Sequence, residues 1–109
     1  MKNGLIVDQE GNQRWYKDGE LHRTNGPAVI MVNGDTFWYQ NDLLHREDGP
    51  AIEYKSKGIW HFGGNKYWYR HGELHRTNGP AVEGINGDRF WFKNGELDRD
   101  NGPAIEYGD

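Results

Sequence analysis

Apolar residues in this chain come in short pulses, and between the pulses stand Gly, Asn and Asp. A Trp-aromatic pair leads to Asp18-Gly19, Asn41-Asp42, His71-Gly72 or Asn94-Gly95, and a Leu follows two residues later. Such dipeptides tolerate the positive φ of a type I′ turn and predict two-residue hairpins. Centring the first turn on Asp18-Gly19 sets Tyr16 opposite Leu21 and Trp15 opposite His22. Alternation along the strands then puts Tyr and Leu on one face and Trp and His on the other. Asn41-Asp42 lacks glycine, so Asp42→Gly is expected to be neutral or stabilising. A second set of turns, Asn33-Gly34 and Asn86-Gly87, joins Ala-Val strands to the next aromatic strand. No stretch carries the 3.6-residue period of a helix.

The pulses repeat. Trp15-Tyr16, Trp38-Tyr39, Trp68-Tyr69 and Trp91-Phe92 open four copies; His22, His45, His75 or Asp98 follows seven residues later, then Arg23, Arg46, Arg76 or Arg99, then Gly-Pro-Ala. The Trp spacings are 23, 30 and 23 residues, and Gln13–Tyr54 matches Lys66–Tyr107 at 27 of 42 positions. A two-repeat unit has been duplicated. The predicted fold is all-β: tandem antiparallel β-hairpin repeats in one elongated twisted sheet, a single repeat domain over 1–109. Repeat 1 spans about 13–35, repeat 2 about 36–58, repeat 3 about 66–88 and repeat 4 about 89–109. A seven-residue insertion adds a hairpin at about 57–66, around Trp60.

Composition narrows the reading. Mean hydropathy is −1.06, too polar for a large aliphatic core. The 5 Trp, 6 Tyr and 4 Phe of the 109 residues argue against disorder, because a few large rings bury much area in a thin structure. There is no Cys, hence no disulfide framework, and no run approaches the roughly 20 apolar residues of a membrane span. A cytoplasmic location is expected. The formal charge of −4 disfavours nonspecific nucleic-acid binding.

The 23-residue unit resembles the MORN repeat, with Tyr16, Gly19 and His22, and again Tyr69, Gly72 and His75, in the family's frame. It departs where Arg follows the His and where Gly-Pro-Ala replaces a Gly-x-Gly. The chain is thus similar to MORN-variant proteins of bacteria and bacteriophages, some of them described as antitoxins. The resemblance implies an elongated antiparallel sheet and a role in binding or scaffolding.

Candidate binding residues are the rows His22, His45 and His75; Arg23, Arg46, Arg76 and Arg99; and Trp15, Trp38, Trp60, Trp68 and Trp91. The histidines are not expected to share a metal, because each two-strand unit advances about 10 Å while zinc needs donors about 2 Å from one centre. The arginines suit an oxyanion such as a nucleotide. A residue present in every copy is more simply structural, each Arg clamped by loop carbonyls or by carboxylates of its own repeat: Glu20, Glu73 and Glu96, or Glu53, Glu83 and Glu106. The Trp row is a stacking platform or, more simply, packing against neighbouring Gly-Pro-Ala loops. Asp98 reads as an end-cap. No nucleophile and base stand at a site-like position, so no enzyme and no cofactor are expected. The leading expectation is a non-catalytic module that docks a protein partner, inhibiting it in the manner of an antitoxin. The alternatives are a protein that sequesters an anionic small molecule on the Arg/His row, and a self-associating protein that dimerises through its edge strands.

Overall fold

A computed structural model describes residues 1–55 and 64–108. The inserted hairpin, with Trp60, lies outside the described residues except for 64–66. Among the described residues there is no helix, and the strands come in chain order as short antiparallel pairs. The first unit holds β1 (Gly4–Val7), β2 (Gln13–Lys17) and β3 (Glu20–Leu21). Then follow β4 (Val29–Ile30), β5 (Thr36–Phe37), β6 (Tyr39–Gln40), β7 (Leu43–Leu44) and β8 (Ile52–Glu53). The second half repeats them as β9 (Lys66–Tyr67), β10 (Tyr69–Arg70), β11 (Glu73–Leu74), β12 (Val82–Glu83), β13 (Arg89–Phe90), β14 (Phe92–Lys93), β15 (Glu96–Leu97) and β16 (Ile105–Glu106). The main sheet runs β1-β2-β4-β5-β8-β9-β12-β13-β16, with β3 on β2. The hairpins β6-β7, β10-β11 and β14-β15 stand off it. The sheet is open, and the molecule measures 46 × 26 × 20 Å.

Local chemistry places the turns where the dipeptides predict them. Asp18 and Gly19, Asn41 and Asp42, His71 and Gly72, and Asn94 and Gly95 all have positive φ, and Tyr16 pairs with Leu21, Tyr39 with Leu44, Tyr69 with Leu74 and Phe92 with Leu97. The Asn33-Gly34 turn is the other kind of hairpin. Gly34 N–H donates to the Met31 carbonyl and Met31 N–H to the Asp35 carbonyl, with Gly34 at φ 97°, a type I turn closed by a glycine bulge. Gly87 does the same after Gly84, and Gly11 after Asp8.

Each Trp is where the chain changes partners. The Trp15, Trp38, Trp68 and Trp91 N–H groups donate to the carbonyls of Ala28, Ala51, Ala81 and Ala104, while their carbonyls accept from His22, His45, His75 and Asp98. The strand therefore belongs to the main sheet before Trp and to the hairpin after it. The core is small. Ala28, Ala51 and Ala81 are fully buried, joined by Val29 and Ile52. Rings fill the middle of the array: Tyr54 meets Phe37 and Tyr67 edge-on, each at 5.8 Å between centroids. Burial raises the Tyr39, Tyr54 and Tyr69 hydroxyls above the ordinary value near 10, seconded by Asp42 at Tyr39 and by neighbouring Tyr67 at the other two.

Candidate functional site

The four arginines lie on the four tryptophans. The guanidinium carbons of Arg23, Arg46, Arg76 and Arg99 stand 3.8, 3.9, 3.9 and 3.8 Å from the indole centres of Trp15, Trp38, Trp68 and Trp91. The reach is set by the fold. Trp and Arg stand eight residues apart across the hairpin, Arg directly after the residue whose N–H bonds the Trp carbonyl, and the Arg chain folds back over the ring. Its Nη1 donates to the carbonyl of the proline four residues on, Pro27, Pro50, Pro80 or Pro103, at 3.1–3.2 Å. Glutamates of the same repeat answer the charge: Arg46 with Glu53 at 3.5 Å, Arg76 with Glu83 and Arg99 with Glu106 at 2.9 Å. The other expected set, Glu20, Glu73 and Glu96, takes no part in these ion pairs. Repeat 1 has Ile30 in the glutamate position, and among the described residues Arg23 is held by Trp15, the Asn25 side chain and Pro27.

The glycine of Gly-Pro-Ala belongs to the same cluster. A methyl at Gly26, Gly49, Gly79 or Gly102 would lie 2.8–2.9 Å from the guanidinium carbon. The indole lies on the guanidinium and the glycine stands close against it, so a side chain at this position would require the guanidinium to shift.

The histidines do a different job. His22 Nδ1 accepts from Asn41 N–H, His45 Nδ1 from His71 N–H and His75 Nδ1 from Asn94 N–H, at 2.9–3.1 Å. Each one caps the turn of the following repeat. An accepting Nδ1 leaves the ring proton on Nε2, and in His45, which is buried, Nε2 pairs with Glu47. Asn3 Oδ1 serves repeat 1 in the same way, accepting from Asp18 N–H. Asp98 holds the position in repeat 4, where among the described residues no further turn follows, and lies 3.6 Å from Lys93. Backbone bonds run alongside: Gly19, Asp42, Gly72 and Gly95 N–H donate to the carbonyls of Lys2, Leu21, Leu44 and Leu74.

Asp42 carries a bond between repeats that the turn alone does not reveal. Its Oδ1 accepts from Leu21 N–H at 2.6 Å, so the residue standing where glycine would relieve the turn also joins repeats 1 and 2. Asp42→Gly would remove that bond while relieving the positive φ at this position.

A second ladder at the opposite ends of the repeats escapes a reading centred on Trp. Asn12, Asp35, Asn65 and Asp88 each follow a positive-φ glycine, and their Oδ1 atoms accept from the N–H groups of Val32, Lys55, Ile85 and Gly108 at 2.7–2.9 Å. The first three are buried. Their sequence signal is Gly-(Asn/Asp) three residues before Trp, in every copy.

An open cleft of about 520 Å³ lies between the loops of repeats 3 and 4, lined by Arg76, Trp91, Lys93, Asp98, Arg99 and Asp100. Lys93 faces Asp98 and Asp100 at 3.6 and 3.4 Å, so its charges are answered within it. Among the described residues no three His, Asp or Glu side chains are placed to share a metal ion, and no helix is long and apolar enough to cross a membrane. Comparison with protein-family models, curated proteins and solved structures finds no match.

Proposed function

We propose that this chain is a non-catalytic interaction module of the MORN-variant type, cytoplasmic, which docks a partner protein along its sheet and loops as small bacterial or phage inhibitors do. The observation that carries the reading is the internal commitment of the signature side chains. Indole, guanidinium and glycine answer one another in every repeat, and in repeats 1 to 3 the imidazole caps the next repeat's turn, so the rows that resemble a ligand site serve as the frame of a molecule 46 Å long. What a frame of this shape offers is extended surface, and extended surface suits a macromolecule better than a small ligand. An anion-sequestering role is favoured at one place only, Arg23, whose repeat carries Ile30 where the others carry glutamate.

Native mass spectrometry of the protein purified from its own host separates the readings. A stoichiometric complex with one other protein, free of small-molecule adducts, is the expected result. A bound nucleotide, lost when Arg23 is replaced by Ala, would give the sequestering role first place.

A further inference from the structure

We propose that two copies of this chain associate through β1, antiparallel about a twofold axis, so that the sheet runs on from one copy into the other. Among the described residues β1 pairs on one side only, with β2, in the register Gly4–Tyr16, Leu5–Trp15, Ile6–Arg14 and Val7–Gln13. The direction of its free groups follows from two bonds. Asp8 N–H donates to the Asn12 carbonyl, so Asp8, Ile6 and Gly4 turn their polar groups toward β2; Trp15 donates to Ala28 and accepts from His22, turned away from β1. Antiparallel ladders alternate in this way. Leu5 and Val7 therefore present N–H and C=O outward along the open edge.

Among the described residues nothing covers that edge. Leu5, Ile6 and Val7 are 49%, 40% and 54% exposed, and the strand holds no charge, proline or bulge. Open edges are ordinarily blunted by such devices. The opposite edge, β16, is blunted: it is two residues long and one of them is Glu106.

The strand is complementary to itself. With Ile6 of each copy on the axis, Leu5 of one copy exchanges two hydrogen bonds with Val7 of the other, and every apolar side chain meets an apolar one. A shift of one residue mismatches the outward groups, and a shift of two sets Gly4 against Ile6. Antiparallel pairing also brings the start of one strand beside the end of the other. Lys2 of each copy, which stands over Tyr16 in its own chain, then lies opposite Glu10 of its mate, opposite charge against opposite charge. An unrelated strand has no such match built in, so a second copy is the occupant. The contact is small beside the 1,200 Å² or more that stable interfaces usually bury, so association grows with concentration and reverses on dilution.

Sedimentation of the full chain from roughly 10 µM to 1 mM, a range reaching the weak end of specific affinities, should pass from the 12.7 kDa chain toward twice that mass. Leu5→Pro removes an outward N–H and no hydrogen bond to β2, and Val7→Lys adds an edge charge; both should remain at one chain's mass with unchanged circular dichroism. Because the chain has no Cys, Ile6→Cys gives an independent readout. Facing Cα atoms about 4.5 Å apart fall within disulfide range, so mild oxidation should link the copies, whereas Val32→Cys, exposed on another loop, should not link. A chain that stays single to 1 mM overturns the proposal. So does a dimer that persists in both Leu5→Pro and Val7→Lys, or Val32→Cys linking as readily as Ile6→Cys.

Discussion

Each guanidinium of the row is held in three ways at once: an indole under it, a proline carbonyl at its edge, and in repeats 2 to 4 a glutamate. Cation–π contact contributes about 0.5–2 kcal/mol and a charged hydrogen bond about 1.5–3 kcal/mol. With about a fifth of the side chain exposed, the lower ends apply. The glycine that stands against the guanidinium is needed for space, since no positive φ is found at Gly26, Gly49, Gly79 or Gly102. That distinction is testable. Gly79→Ala would put a methyl 2.9 Å from the Arg76 guanidinium carbon and push the group off its indole or its carbonyl, at a cost of about 1–3 kcal/mol. In an Arg76→Ala background the obstacle is gone, and the same change should cost little. Urea unfolding of the four proteins in this cycle measures the coupling; equal costs for Gly79→Ala in both backgrounds would mean that the glycine serves some other need.

Between elements, stability comes from stitches repeated at every joint. The strands are mostly two residues long and a lone hairpin is marginal in water, so each unit depends on its neighbour, as in other linear repeat proteins. His45 illustrates the joint: buried, it accepts the N–H of His71 while its other nitrogen meets Glu47. His45→Ala should therefore lower stability by about 1–3 kcal/mol, and Asp42→Gly by about 1 kcal/mol through the lost Leu21 bond. Asp98 has the same sequence position but no turn to cap among the described residues, so Asp98→Ala should lie within about 0.5 kcal/mol of the parent. Thermal melts of the three variants give the order directly, and a loss at Asp98 as large as that at His45 would contradict the capping role. The Asp8 turn shows the same economy at the first joint. Desolvation pushes its carboxyl upward, but hydrogen bonds from Asn12, from Arg14 and from the Glu10 N–H outweigh it and hold it below the ordinary carboxylate value.

At the scale of the whole molecule, what could be read in advance was what local chemistry decides. Asp18-Gly19 and its equivalents reveal their turns because few other dipeptides accept two positive φ values, and counting outward from the turn fixes the pairing of Tyr16 with Leu21. Repetition marks Arg23, Arg46, Arg76 and Arg99 as structural, but not that their platform is the Trp of the same repeat, since that contact closes only when the Arg chain folds back across the strand pair. The Asn12, Asp35, Asn65 and Asp88 ladder stayed hidden because Gly-Asn and Gly-Asp read as ordinary turns, and their partners lie about 20 residues away in the next repeat. β1 stayed hidden because it carries no Trp, His or Arg of the signature, though Gly11-Asn12 marks its joint. The central claim is that the Arg/Trp row builds the array and does not wait for a ligand. Urea unfolding of Arg46→Ala, run beside a thermal-shift series of the parent chain with nucleotides, tests it most directly. Loss of about 1.5–3 kcal/mol in the variant, with no shift of the parent at any nucleotide, is the expected result. Unchanged stability in Arg46→Ala, together with a parent stabilised by about 2.7 kcal/mol in a nucleotide held at 100 times its Kd and a variant that is not, would contradict it.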